Sequence, residues 1–455
     1  MGTQAVSGQT LGTDPRISRA LEHFYWLPGA LVAFVLGIRG VQAVPLWVDE
    51  FFTLQSIQQG LGASVAEPAL IPHNAIVYLS TGGAGCLTES CLRLPSLIGV
   101  TVSAALVALT ARTVATPSAG LWSGLLFAIA PSVLRGAHDA RPYAVAITCV
   151  AVATYLLTQA TYRNRLPWWI TYSVSIAIAG LVMPTTLAIL VGHGVWTLAP
   201  KQRGGRIVSR WAYSVGAAGL LLIWPALSLS WASTSDPDQR QVDSFFPGVG
   251  DPLRALTMPF DGGFYTTLGV GVFAGAVVVL ALSNRQALTW FVAGLASVGS
   301  LWVVSWFTAS VWVGRYAVPF VSLFVIAAGI ALSRLSVKKQ LVGLIVFLIA
   351  AIPAYQENLV PWGRGYDWRS AMAIVTDGWQ EGDHVMPEPE MGIAGRWAIE
   401  YYGDSQTRIA EEDSMPEGRV WVFNQADLCT PQETWTLGPE ATLQLCSEVE
   451  GPQGS

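Results

Sequence analysis

The feature that most constrains this chain is a series of long apolar segments. About eleven of them are near the ~17–25 residues that a membrane-spanning helix requires. They lie at 24–46, 96–114, 118–135, 143–161, 168–182, 184–199, 211–232, 264–283, 287–308, 316–333 and 340–356. Charged residues make up only 12% of the chain, against roughly 25% in soluble domains. The sequence therefore predicts a polytopic α-helical membrane protein of about eleven transmembrane helices.

Charge is distributed unevenly between the predicted loops. If the polar tail 1–23 is cytoplasmic, Lys and Arg concentrate in the loops on its side of the membrane, and those loops contain almost no carboxylate. The positive-inside rule then predicts that the N-terminus lies on the cytoplasmic side of the membrane. The transmembrane part is predicted at 24–356, with outer loops at 47–95 and 233–263. The first apolar run is too long for a cleaved signal and is interpreted as an anchor.

The C-terminal segment 357–455 is predicted to fold as a small α/β domain outside the membrane. After Asp367, apolar residues recur at the spacing of an α-helix, whereas residues 419–423 and 441–445 have the composition of strands. The predicted fold is thus a transmembrane helical bundle followed by an extracytoplasmic domain.

The cysteines agree with this topology. Cys86 and Cys91 share the first outer loop, Cys429 and Cys446 share the outer tail, and Cys149 stands alone in an apolar helix. An even number on the oxidising side predicts two local disulfides. The alternative is four unpaired small apolar residues. A zinc site is less favoured, since no His lies at ligand spacing from either pair.

Two adjacent carboxylates, Asp49 and Glu50, follow the first span directly and stand among aromatic residues that include Trp47. An ionisable residue near a membrane is a functional-site hypothesis. Partial desolvation between rings favours a carboxylate that works as a general base. The structural alternatives are a carboxylate pair that meets solvent and a cap of a surface helix. The apolar positions at 51–57 predict such a helix on the membrane surface, and a second is predicted at 73–79.

A compact group of charges lies between the third and fourth spans. Its members are Arg135, His138, Asp139 and Arg141, followed by Pro142 and Tyr143. Arginine presents a planar fork of donors that fits phosphate oxygens, so the two arginines are candidates for holding an anionic group. The alternative is an ordinary polar loop. Arg93 is a weaker signal, interpreted as a snorkelling residue before a helix that starts at Pro95.

A further arginine, Arg315, opens the tenth span and is followed by Tyr316. Snorkelling is an equal alternative for Arg315 taken alone. With Asp49 and Arg141, however, it gives one carboxylate and two guanidiniums predicted at one membrane face. A base that deprotonates a hydroxyl and arginines that stabilise a phosphate leaving group would serve transfer of a sugar from a lipid phosphate.

These residues resemble the GT-C superfamily of integral-membrane glycosyltransferases, most closely the branch of protein O-mannosyltransferases and aminoarabinose transferases. The resemblance covers nearly the whole chain, although each motif is loose. The matching motifs are Trp47-x-Asp49-Glu50, Arg93-Leu94-Pro95-Ser96, Ala140-Arg141-Pro142-Tyr143, Arg315-Tyr316-x-x-Pro319 and Asp367-Trp368-Arg369. The Ala-, Gly-, Val- and Trp-rich composition is typical of an actinobacterial chain.

The resemblance implies roles for individual residues. Asp49 matches the catalytic base, with Glu50 beside it, and Arg141 and Arg315 match the donor-phosphate site, with Arg135 and Tyr316 as further candidates. Trp47, His138, Asp139 and Tyr143 are candidates for binding or orienting substrates. His73 is a weaker one, because His73-Asn74 stands where the family often has His-Pro-Pro. His138-Asp139 also replaces a family Glu.

The resemblance further implies an inverting glycosyltransferase that uses a polyprenyl-phosphate sugar and transfers it to a glycan, glycolipid or protein outside the cytoplasmic membrane. Mannose is the first expectation and arabinofuranose the alternative. No cofactor is expected, and several family members need no metal. Membrane lipid is an expected partner and nucleic acid is not. Two other functions stay open: an O-antigen-ligase-like transferase and a lipid or ion transporter.

Overall fold

A computed structural model of the chain describes most of the predicted membrane part and much of the C-terminal segment. The described residues are 23–60, 71–199, 204–234, 284–307, 314–359, 367–388, 392–410, 418–424, 431–438 and 441–447. The predicted span 264–283, most of the tail 1–23 and nearly all of the loop 233–263 lie outside these ranges.

Helices occupy the predicted spans that fall on described residues. In chain order the helices are α1 (Leu27–Gly40), α2 (Val48–Gln58), α3 (Ile71–Ser80), α4 (Glu89–Val114), α5 (Pro117–Ala128), α6 (Pro131–Ala137), α7 (Tyr143–Arg163), α8 (Leu166–Val182), α9 (Ile189–Leu198), α10 (Gly205–Thr234), α11 (Arg285–Phe307), α12 (Gly314–Ala317), α13 (Val321–Leu332) and α14 (Val337–Leu359). The prediction of a polytopic helical protein is thus confirmed.

Fewer helices meet the length and hydropathy of a membrane span than the sequence predicts for the whole chain. Within the described ranges, five helices are long and apolar enough to cross a membrane, and a bent pair raises this to as many as six. Two shorter apolar helices, Leu27–Gly40 and Leu166–Val182, fall below that length. The predicted count of about eleven therefore stays a prediction.

Two proline positions differ from the sequence prediction. The third predicted span is not one helix, because α5 and α6 meet at an angle of 62°. Pro131 begins α6, and a proline ring clashes with the carbonyl four residues earlier, so the helix cannot continue straight. The prediction that a helix starts at Pro95 was wrong: α4 begins at Glu89, and Pro95 lies inside it.

Close packing of the bundle depends on small residues where helices cross. A Cβ atom on Gly29 of α1 would lie 2.6 Å from the backbone carbon of Gly124 in α5. Such an approach is available only to glycine, and it replaces the hydrophobic driving force that lipid cannot supply between helices.

The helix predicted at 51–57 is present as α2, but its apolar face does not face outward. Phe51, Leu54 and Ile57 are buried in a core that they share with the C-terminal segment. The ring of Phe51 makes edge contacts with Tyr401 and Tyr402 at centroid distances of 6.1 and 6.4 Å. The apolar face of this helix, predicted to lie on the membrane surface, is therefore covered by protein.

The C-terminal segment contains a small mixed sheet flanked by helices. Its elements are α15 (Trp368–Gly378), β1 (His384–Met386), α16 (Gly392–Tyr402), β2 (Val420–Phe423), β3 (Pro431–Gly438) and β4 (Ala441–Cys446). The sheet order is β1-β2-β4-β3, with β1 parallel to β2 and the other two pairs antiparallel. Asp367 caps α15 through the amide of Ser370 at 3.1 Å. The α/β character predicted for this segment is confirmed.

The cysteine positions agree with the predicted pairing where they are described. Cys86 and Cys91 form a disulfide, and Cys149 is free. Cys446 is also disulfide-bonded, and its predicted partner Cys429 lies outside the described residues.

Candidate active site

Asp49, Arg141 and Arg315 meet at the start of α2. A guanidinium nitrogen of Arg315 lies 3.3 Å from a carboxylate oxygen of Asp49, and these two side chains are 42% and 24% exposed. Arg141 donates a hydrogen bond of 3.1 Å to the backbone carbonyl of Asp49. The carboxylate and both cationic groups therefore lie together, and a molecule outside the chain can reach them.

Aromatic rings hold the Arg315 guanidinium on two sides. Its central carbon lies 5.4 Å from the Trp47 ring centre and 5.6 Å from the Tyr143 ring centre. The ring of Tyr316 is 6.3 Å from that of Tyr143. Because each ring face attracts a cation, this arrangement restricts the guanidinium to the space beside Asp49.

Glu50 differs from Asp49 in being fully buried. Arg93, also fully buried, binds its two carboxylate oxygens at 2.8 and 2.6 Å. The same oxygens accept the amides of Ala140 at 2.7 Å and Trp47 at 3.2 Å. A carboxylate with both oxygens so occupied is suited to fixing α2 in place rather than to touching a substrate.

The interpretation of Arg93 as a snorkelling residue was wrong. Its guanidinium also donates to the carbonyls of Val41, Val44 and Pro45 at 2.8, 2.7 and 3.0 Å. The sequence signal that could have revealed this role is the buried acidic partner, Glu50, next to Asp49. Pairing across 43 residues of sequence, however, is set by the tertiary fold.

The other candidates in the turn before α7 are mostly buried. Asp139 accepts the indole N–H of Trp47 at 3.1 Å, and its backbone carbonyl accepts the hydroxyl of Ser96 at 2.5 Å. The ring of His138 is buried against Gly40 at the end of α1. Arg135 lies in the last turn of α6, and its part in phosphate binding stays a prediction.

Gly40 is required by the ring of His138. A Cβ atom at position 40 would lie 2.0 Å from a ring carbon of His138. We expect Gly40→Ala to cost about 1–3 kcal/mol through overpacking, measured as a lower melting temperature in detergent. Gly216→Ala is the matched control, because a Cβ atom there meets no heavy atom within 4 Å. Equal melting temperatures for the two variants would contradict the packing argument.

His73 lies on α3, fully buried, with its Nε2 atom 2.9 Å from the carbonyl of Ala140. Burial is the main cause that lowers the pKa of His73 to about 4, and the nearby charge of Arg141 lowers it further. The ring is therefore neutral near pH 7 and donates from Nε2, which places it as a link between α3 and the turn that carries Arg141.

The depressed pKa of His73 makes stability depend on pH. Below pH 6.5 the unfolded chain protonates this ring and the folded chain does not, until about pH 4. Stability therefore falls across that window, by about 2 kcal/mol at pH 5 for this residue. We expect His73→Gln to show a smaller drop in melting temperature than wild type between pH 7 and pH 5. An equal drop would show that His73 titrates normally.

The structure contains a second cluster of polar side chains, around Glu89, that the sequence did not predict. Glu89, in the first turn of α4, binds Arg369 of α15 and Tyr402 of α16. Tyr402 also accepts the amide of Leu46 at 2.7 Å. The three residues lie far apart along the chain and belong to no recognisable motif except Asp367-Trp368-Arg369. In the described ranges, no group of three or more His, Cys, Asp or Glu side chains is placed to hold a metal ion.

Comparison with known proteins identifies the fold. A family model described as dolichyl-phosphate-mannose-protein mannosyltransferase matches residues 76–231. The crystal structure of ArnT from Cupriavidus metallidurans bound to undecaprenyl phosphate is similar over 93% of this chain and 98% of that chain, with a TM-score of 0.58 and 12% identity. Its apo state gives a TM-score of 0.58, 13% identity, and coverage of 92% and 97%. No curated protein sequence matches the chain. The chain thus has a fold similar to that of ArnT, and about a third of it matches the mannosyltransferase family model.

Proposed function

We propose, on the premise of this GT-C fold, that the chain is an inverting glycosyltransferase that moves a sugar from a polyprenyl-phosphate donor to a cell-envelope acceptor. The observation that carries the proposal is the ion pair of 3.3 Å between Asp49 and Arg315, with Arg141 on the backbone of the same aspartate. ArnT is described bound to undecaprenyl phosphate, which supports a lipid phosphate as the donor.

Asp49 is proposed as the general base. It accepts the proton of the acceptor hydroxyl, whose oxygen bonds to the anomeric carbon as the bond from that carbon to the phosphate oxygen breaks. The configuration at the anomeric carbon is inverted, and polyprenyl phosphate leaves with the electron pair of the broken bond. General-base help of this kind contributes about 10²–10⁴-fold.

Arg315 and Arg141 are proposed to hold the donor phosphate and the charge that develops on it. Arg315 is 42% exposed, so its guanidinium can bind phosphate oxygens, and a planar fork does so with two parallel hydrogen bonds. Once Arg315 binds phosphate, the Asp49 carboxylate is released from its ion pair and can accept a proton. Trp47 and Tyr143 keep the guanidinium aligned, and Tyr316 packs against Tyr143.

The remaining proposals concern place and substrate. The distribution of Lys and Arg supports a cytoplasmic N-terminus, so that the site, the loops 47–95 and 233–263 and the segment 357–455 lie outside. The proposed division is a tail at 1–23, a transmembrane module at 24–356 and an outer domain at 357–455. Mannose is the first proposed sugar, because the matching family model is that of mannosyltransferases.

The test is transfer from a defined donor. Purified protein is incubated with membranes and radiolabelled polyprenyl-phosphate mannose or, separately, polyprenyl-phosphate arabinose. The proposal expects label from one donor in an envelope product, with inversion at the anomeric carbon. Label transferred from the mannose donor supports mannose as the sugar, and label transferred from the arabinose donor identifies arabinose instead. Absence of transfer from both donors by folded protein would contradict the proposed function.

A further inference from the structure

A cleft lined by several polar side chains lies between the C-terminal segment and the start of α4. The cleft is open to solvent and has a volume of about 500 Å³, within the roughly 300–1,000 Å³ typical of ligand sites. One wall consists of Gln42, Glu89 and Ser90, and the other of Arg369, Tyr401 and Tyr402.

The residues that line the cleft are joined to one another by an ion pair and hydrogen bonds. Glu89 accepts from Arg369 and from the hydroxyl of Tyr402. Gln42 donates to the hydroxyl of Ser90 at 2.6 Å across the first wall. The disulfide between Cys86 and Cys91 closes the turn that leads into this wall. The geometry is therefore prepared before any ligand arrives, which reduces the entropy cost of binding.

The chemistry of the lining selects a class of ligand. Arg369 and Glu89 are oppositely charged and in contact, so the pair carries no net charge. An anion would meet the Glu89 carboxylate and a cation would meet the Arg369 guanidinium. The Arg369 side chain is 44% exposed and retains N–H groups for a ligand. Together with hydroxyl, amide and phenol groups, this lining fits a neutral molecule with many hydroxyls.

The cleft shares its inner wall with the segment that carries Asp49. The Tyr402 hydroxyl that binds Glu89 also accepts the amide of Leu46 at 2.7 Å, three residues before Asp49. Burial and the adjacent Glu89 raise the pKa of Tyr402, so the phenol stays protonated and keeps its hydrogen bond. A ligand seated here therefore contacts a tyrosine that is hydrogen-bonded to the active-site segment.

We propose that this cleft binds the neutral saccharide portion of the acceptor. The proposal rests on the proposed glycosyltransferase function and adds the chemical class of the acceptor: a hydroxyl-rich, uncharged glycan, presented to Asp49 from the side of the C-terminal segment. Arg369 and Gln42 hydrogen-bond the glycan, the rings of Tyr401 and Tyr402 line the cleft around it, and the Tyr402 hydroxyl, bonded to Glu89 and Leu46, fixes the segment beside it.

The test measures binding without turnover. The full chain carrying Asp49→Asn, in detergent micelles, is mixed separately with a mannose trisaccharide, an arabinose trisaccharide and mannose 6-phosphate, and saturation transfer to each is recorded by NMR. We expect binding of at least one trisaccharide and weaker binding of the phosphate. Arg369→Ala should weaken trisaccharide binding roughly fivefold or more, the equivalent of one lost hydrogen bond.

Two further variants distinguish a loss of binding from a folding defect caused by Arg369→Ala. Gln42 is exposed, so Gln42→Trp places a ring over the cleft without disturbing a core and should also weaken binding. Arg396→Ala is the matched control, since that arginine is 53% exposed in a surface pair with Glu400. Binding of neither trisaccharide, binding unchanged by both cleft variants, or preference for mannose 6-phosphate would overturn the proposal. Because transfer is disabled throughout, failure here is distinct from failure of Asp49 as the base.

Discussion

Replacing Asp49 with asparagine is expected to lower sugar transfer by about 10²–10⁴-fold while the protein stays folded. The amide has nearly the shape of the carboxylate but cannot accept the proton of the acceptor hydroxyl. The ion pair that is lost is partly exposed, and such pairs contribute only about 0–1 kcal/mol. The loss should therefore appear in kcat, with the melting temperature close to wild type.

The measurement is initial transfer rate from the donor that wild type uses, with folding followed by melting temperature in the same detergent. Glu400→Gln is the matched control, because it makes the same chemical change on the surface of α16. Arg315→Lys should lose less activity than Arg315→Ala, since lysine keeps the charge but not the fork. Wild-type transfer by folded Asp49→Asn would exclude Asp49 as the base, and equal lipid flipping by the two would favour the transporter.

The sequence was sufficient to predict which charges meet at Asp49. Asp49, Arg141 and Arg315 each stand at the boundary of an apolar segment, and the predicted topology puts these boundaries on one side of the membrane. The structure brings the three groups into contact. The same reasoning could not separate the two carboxylates, because the orientation of α2 decides which of Asp49 and Glu50 is buried.

The breaks between helices were harder to predict than the helices. Hydropathy runs across the bend at Pro131 without a break, whereas the first turns of α4 contain Glu89 and Arg93 and precede its apolar run. A pattern based on apolar residues therefore gives both boundaries in the wrong place. The C-terminal segment shows the same division. Two of its four described strands, β2 and β4, followed from composition. The covering of Phe51 by Tyr401 and Tyr402 depends on contacts between segments some 350 residues apart in sequence.

Removal of Arg93 is expected to be the most destabilising change at this site. Arg93→Met leaves the Glu50 carboxylate fully buried without its cation, and breaking a buried pair in this way costs about 3–5 kcal/mol. The carbonyls of Val41, Val44 and Pro45 lose their donor at the same time, and each buried polar group left unpaired adds about 1–3 kcal/mol. We expect a large drop in melting temperature and little folded protein.

The contrast with other substitutions identifies the cause. Arg396→Met removes an exposed arginine of a surface pair and should change stability by no more than ~0.5 kcal/mol. The double variant Glu50→Met, Arg93→Met should be more stable than Arg93→Met alone, because no charge is then left unpaired in the interior. If Arg93→Met melts like wild type, Glu50 cannot be held as an ion in the folded protein. If the double variant folds but transfers sugar slowly at an unchanged KM, the pair acts by positioning α2, and with it Asp49, rather than by contact with the substrate.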